Sequence, residues 1–192
     1  IAAADANSGT VAEAVDKLNA TGEDILLLIG SDHGHETVGE IVDLDAKLVA
    51  AGFKAHTDSN DVVVASQGFS AFVYLADNQR HKIADIAVYL ESLDGVGDVY
   101  AGADLESIGQ RSDGALAIAV DAAKSDTETA YGIPGISAAF ANRFSMTLET
   151  GKGEHGGLGK YEQNPFLMAI GGGFAAGSQT DHETSAVDIA PT

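Results

Sequence analysis

The feature that most constrains the fold is a run of five apolar residues, Ile25-Leu26-Leu27-Leu28-Ile29, which ends in Gly30-Ser31-Asp32-His33-Gly34-His35-Glu36. Such a run is too short for a self-standing buried helix. It suits a strand covered on both faces, as in a parallel sheet flanked by helices. In open α/β sheets, ligands gather beyond the carboxyl ends of the strands. Asp32 and His33 stand side by side at such an end, and carboxylate plus imidazole is a good donor set for zinc, manganese or iron. On a regular strand, neighbours point to opposite faces. Gly30 and Gly34 allow the irregular backbone that turns both side chains to one site. On spacing alone, a helix N-cap beside a polar surface residue also accounts for the pair.

Around this strand the pattern alternates between helix and strand. Thr10-Val11-Ala12-Glu13 has the form of a capping box, and Val11, Val15 and Leu18 share one helical face that Gly22 ends. Beyond the Asp-His pair, Thr37-Val38-Gly39-Glu40 reads as a second capping box, with Leu44, Leu48 and Ala51 at helical spacing up to Gly52. A polar stretch from His56 to Asp61 marks a change of unit. Val62-Val63-Val64 and Ala71-Phe72-Val73-Tyr74-Leu75 then predict a hairpin around Gln67-Gly68. Ile83, Ile86, Ala87 and Leu90 predict an amphipathic helix, while Val96–Ala101 and Ala115–Val120 predict strands. The segment from Thr127 to Phe144 is rich in turn residues and reads as irregular. A glycine-rich loop, Gly151-Lys152-Gly153-Glu154-His155-Gly156-Gly157-Leu158-Gly159, precedes a further apolar run from Pro165 to Gly171.

Charge and composition narrow the function classes. The chain has 192 residues, 29 acidic and 10 basic, for a formal net charge of −19. Binding to a nucleic-acid polymer needs a basic face, so that class is disfavoured. Cysteine is absent, which excludes disulfides, thiolate ligands and a Cys nucleophile. No apolar run approaches the ~20 residues that span a bilayer. The glycine-rich loop is no phosphate-binding P-loop, because Gly-x-x-x-x-Gly-Lys-Ser/Thr is not met. Gly171-Gly172-Gly173 lacks the dinucleotide fingerprint.

Three motifs, in order, resemble the alkaline phosphatase superfamily: Ser31-Asp32-His33-Gly34 after an apolar strand, Gly153-Glu154-His155-Gly156, and Val187-Asp188-Ile189-Ala190-Pro191-Thr192. Within it, the chain is most similar to the type I phosphodiesterase/nucleotide pyrophosphatase group. The resemblance implies an α/β fold: an alkaline-phosphatase-like sheet with flanking helices, incomplete here, carrying an inserted small α+β subdomain. Residues 1–55 and 146–192 would form the partial metal-binding core, and 56–145 the insert. It also implies two divalent metal ions, with zinc the expected identity. Asp32 and His33 would ligate the ion that activates a Thr or Ser nucleophile, and His155 the ion that holds a substrate oxygen or the attacking water. That arrangement stabilises both entering and leaving oxygens.

The implied activity is phosphoric-ester hydrolysis on a phosphodiester or nucleotide pyrophosphate small molecule. Phosphomonoesterase, phosphonate hydrolase, sulfatase, phosphomutase or a non-catalytic binding module are the alternatives. A periplasmic or extracellular location is in keeping with the resemblance. The family carries its nucleophile, a further Asp and an Asp-x-x-x-His pair ahead of the Ile25–Ile29 strand, and none is matched here. No catalytic nucleophile is therefore assigned. The chain reads as a C-terminal portion of a longer catalytic domain, inactive in isolation. His35 is read as a surface or supporting residue, and His56, His81 and His182 as solvated. Lys152 and Lys160 are read as solvated too, despite their places near the glycine-rich loop.

Overall fold

The chain starts as helix because alanine dominates its first turns and costs the least to hold helical. In the computed structural model, which describes residues 2–144, 148–182 and 184–189, α1 runs Ala2–Asn19. The capping-box expectation at Thr10 is thus corrected: Thr10 lies inside the helix, and its hydroxyl donates to the Ala6 carbonyl at 3.0 Å. The remaining elements in order are β1 (Leu27–Gly30), β2 (Glu36–Val42), α2 (Leu44–Ala50), β3 (Val62–Ser66) and β4 (Ser70–Leu75). Then come α3 (Ile83–Glu91), β5 (Val96–Ala101), β6 (Leu116–Ala122), β7 (Lys124–Glu128), β8 (Pro134–Phe140), β9 (Gly153–Glu154) and β10 (Leu167–Ile170). They fall into two compact units, Ile1–Asp32 with Pro165–Thr192, and His33–Asn164.

The first unit contains α1 and a two-stranded sheet in which β1 pairs antiparallel with β10. The opening expectation is corrected here. Of the five apolar residues only Leu27, Leu28 and Ile29 enter the strand; they are half-buried, and its described partner is antiparallel. Ile25 is withdrawn from the ladder by Asn19, whose side chain accepts from the Ile25 N–H at 2.8 Å and donates to its carbonyl at 3.0 Å. The closing motif enters a short 3-10 turn, Ala186–Asp188, capped by Ser185. Its last residues, Ala190-Pro191-Thr192, lie outside the described residues, as do Ser145, Met146, Thr147 and Glu183.

The second unit holds two four-stranded sheets, ordered β7-β8-β2-β9 and β3-β4-β6-β5. Residues 36–42 form a strand, where the sequence pattern suggested a helix start. Thr37, Val38, Ile41 and Val42 are β-branched, and such side chains lose rotamer freedom in a helix but fit a pleated sheet. β2 takes partners on both edges, β8 parallel and β9 antiparallel. The segment from Thr127 to Phe144, expected to be irregular, contains the end of β7 and all of β8. The helix predicted from Leu44 is α2, capped by the Asp43 carboxylate accepting from the Ala46 N–H at 2.9 Å.

The second sheet matches its sequence pattern closely. β3 and β4 form the hairpin, β4 alternates half-buried and buried residues, and β6 is buried at every position between β4 and β5. A core of Val38, Leu44, Leu48, Val62, Phe69, Val73, Ile86, Leu90, Ile118 and Phe140 joins both sheets to α2 and α3. At the edge of this core, Lys54 is buried. Its ammonium pairs with Asp45 at 3.2 Å and donates to the carbonyls of Ser59 and Val62, which pins the polar loop from His56 to Asp61. No helix among the described residues is long and apolar enough to cross a membrane.

Candidate metal centre

The pairing of β2 with β9 builds the site. Their antiparallel register sets Glu36 opposite Glu154 and Thr37 opposite Gly153. One step further along the same register, His35 faces His155. His33 precedes His35 by two positions, a spacing that returns a side chain to the same side of an extended backbone. The three imidazoles converge accordingly. His33 stacks on His155 with ring centroids 3.8 Å apart and planes 17° from parallel. His35 lies edge-on to both, at 5.1 Å from His33 and 5.4 Å from His155.

One ligand nitrogen from each of His33, His35 and His155 lies within 4.8 Å of the other two. Three imidazoles are a fitting donor set for zinc. In a tetrahedral site with Zn–N near 2.1 Å, ligand nitrogens sit ~3.4 Å apart. Closing that difference requires the stacked rings of His33 and His155 to turn toward one another, and the His155 side chain is 45% exposed, which leaves it room. His33 Nδ1 lies 2.9 Å from the Gly34 carbonyl, which can only accept, so Nδ1 is the donor in that contact. A backbone carbonyl behind a ligand imidazole orients the ring. Glu154 adds negative charge: Oε1 accepts the His155 backbone N–H at 3.1 Å and lies 3.8 Å from His155 Nε2.

The glycines serve close approach here. A side chain at Gly34 would collide with the Tyr161 carbonyl, and one at Gly156 with the Gln67 carbonyl. At Gly68 a Cβ would collide with the His155 carbonyl, and its φ of +78° is itself a glycine conformation. The β3–β4 turn thereby grips the His155 loop. The Phe69 N–H donates to the His155 carbonyl at 3.2 Å, and the Ser70 hydroxyl donates to the Gly156 carbonyl.

The strand and loop that carry the imidazoles also join a buried polar network. Glu36, Asp121 and Glu162 are all buried, as is Ser137, whose hydroxyl donates to Glu36. Glu162 accepts the N–H groups of Gly157 and Gly159 at 2.8 and 2.9 Å. Glu36 accepts that of Tyr161 at 3.3 Å, and Asp121 that of Leu158 at 3.0 Å. The Lys124 ammonium stands 3.3 Å from both Asp121 and Glu162, as an ion pair with each. Burial pushes the Asp121 carboxyl above the ordinary carboxylate range, with Lys124 and the Leu158 N–H opposing that rise.

Of the residues proposed from sequence, His33 and His155 meet in the second unit. Asp32 is exposed and is the last residue of the stretch of the first unit that precedes His33. His35 was read as a supporting residue, yet it offers the third imidazole. The signal that could have revealed it is the His-x-His spacing at the entry to a strand. Recognising it required 36–42 to be read as strand. His56, His81 and His182 are exposed, as are Lys152 and Lys160.

No protein-family model and no curated protein matches the chain. Two solved structures of phosphonoacetate hydrolase from Sinorhizobium meliloti 1021 are similar to it, one in complex with phosphonoformate and one with phosphonoacetate. Each gives a TM-score of 0.50, at 16% and 15% sequence identity respectively, over 81% of this chain and 38% of that chain. The chain thus spans well under half the length of the structures it matches. At such identity the likeness bears on fold alone. It is a mixed α/β arrangement of several sheets with flanking helices, similar to a fragment of an alkaline-phosphatase-like fold.

Proposed function

We propose that the chain forms part of a metal-dependent hydrolase of phosphoryl compounds, with a divalent ion held by His33, His35 and His155. The observation that carries this reading is the convergence of the three imidazoles. Two of them are residues that the motif resemblance assigns to metal, His33 to one ion and His155 to a second, so the single centre proposed here departs from that two-ion division. Asp32, next to His33 in sequence, is added as a ligand on the resemblance alone. Zinc is the proposed ion, since imidazole nitrogen suits its borderline softness. Bound there, it would supply Lewis-acid stabilisation of a phosphoryl oxygen.

The chain's own contribution is to bring three imidazoles together and to hold the His155 loop against the hairpin. A phosphodiester or nucleotide pyrophosphate is the proposed substrate class, from the motif likeness. A second reading, hydrolysis of a phosphonate, is favoured by the fold likeness to phosphonoacetate hydrolase.

Isothermal titration with Zn²⁺ tests the centre. One ion per chain is expected, with His33→Ala, His35→Ala and His155→Ala each weakening binding about tenfold or more, in line with lost metal-site groups. Equal affinity in the parent and all three variants would overturn the reading. The substrate class is tested on the whole protein, comparing a p-nitrophenyl phosphodiester with phosphonoacetate before and after chelation.

A further inference from the structure

We infer that Glu162 is the positioning residue that holds the two arms of the imidazole centre in register, a role that rests on the metal reading above. The centre is assembled from two arms of different character. His33 and His35 lie on the approach to β2, a strand anchored on both edges. His155 lies in a loop with glycine at positions 151, 153, 156, 157 and 159, a composition with little stiffness of its own. Glu162 is 1% exposed and touches both arms. Its two carboxylate oxygens accept the Gly157 and Gly159 N–H groups, which fixes the chain two and four residues beyond His155. Its backbone carbonyl accepts the Gly34 N–H at 2.8 Å, and the Gly34 carbonyl in turn receives the His33 ring proton.

A carboxylate is costly to bury, and it is found inside only with charge and hydrogen-bond partners. Here two N–H groups and Lys124 provide them. An amide cannot replace it. Both facing groups are donors, so the NH₂ of a glutamine would have to point at one of them. Space enforces the same arrangement, because a Cβ at Gly157 would lie 2.8 Å from both Glu162 Oε1 and Lys124 Nζ. In this role Glu162 acts on ion binding through the placement of His155 relative to His33.

The test uses the 192-residue chain with two measurements. Glu162→Gln is compared with Leu90→Ala, a truncation in the fully buried core of α3 that destabilises without touching the loop. In metal-free NMR, contacts between the His33 and His155 ring protons are expected in the parent and in Leu90→Ala, and lost in Glu162→Gln. In titration with Zn²⁺ at a temperature where circular dichroism shows each variant folded, Glu162→Gln is expected to bind about 10–100-fold more weakly. Leu90→Ala should bind as the parent does. Retained ring contacts in Glu162→Gln, or an equal loss of affinity in Leu90→Ala, overturn the inference. So does unchanged affinity in Glu162→Gln where the parent binds. A parent that binds no Zn²⁺ but keeps its ring contacts refutes the metal reading instead, and the ring contacts alone then decide the role of Glu162. If Glu162→Gln does not fold, Glu162→Asp is read by the same criteria; it keeps the charge but is too short to reach both N–H groups.

Discussion

At Gly68 one missing methyl group decides whether the hairpin can reach the loop that carries His155. Its φ of +78° disfavours any side chain, and an added Cβ would press on the carbonyl of His155. Gly68→Ala is expected to lower stability by about 1–3 kcal/mol through backbone strain. It should also weaken Zn²⁺ binding, because relief requires the His155 loop to move. Urea denaturation and metal titration on the same sample check both halves. Two of the three clustered imidazoles were already candidates from the sequence: His33 beside an Asp at the tip of an apolar run, and His155 through the motif resemblance. His35 was not, because its importance depends on the register of β2 against β9, a property of two distant segments. Glu162 was invisible for a similar reason, since nothing local distinguishes a buried carboxylate from a solvated one.

Among the elements, those with strong periodicity were readable and those defined by partners were not. The hairpin of β3 and β4, helices α2 and α3, and strands β5 and β6 follow from alternation or helical spacing within the segment itself. β2 mimicked a capping box through Thr37 and Glu40, but its β-branched residues and its two flanking strands prevail. β7 and β8 hide among turn residues because their stability comes from pairing, as β8 does with both β2 and β7. The α2 layer offers a direct check of the core. Leu48 is fully buried, and Leu48→Ala is expected to cost about 2–5 kcal/mol, the range for removing a core leucine. The urea midpoint should fall accordingly, while the far-UV spectrum of the folded state stays that of the parent.

For the molecule as a whole, acidity is the dominant electrostatic fact, at a net charge of −19. Most of that charge is solvated, but Asp121 is buried and its carboxyl is held above the ordinary value of 3.8, by burial first. The folded state therefore binds this proton more tightly than the unfolded chain does. The stabilisation it contributes is fully present below the unfolded value and fades as pH rises through the higher folded value. Asp121→Asn removes that loss, while its side-chain oxygen still accepts the Leu158 N–H. The melting temperature of the variant minus that of the parent should thus increase from about pH 3 to about pH 7; a flat difference would contradict the shift.

The glycine-rich loop also has a practical use. Its backbone N–H groups are held by buried carboxylates, yet Leu158 is 47% exposed, and the chain contains no cysteine. A thiol placed at Leu158 would be unique in the molecule and three residues from His155. A fluorophore attached there would make the loop its own optical reporter, reading ion capture by the imidazoles without disturbing the N–H groups that hold the loop in place.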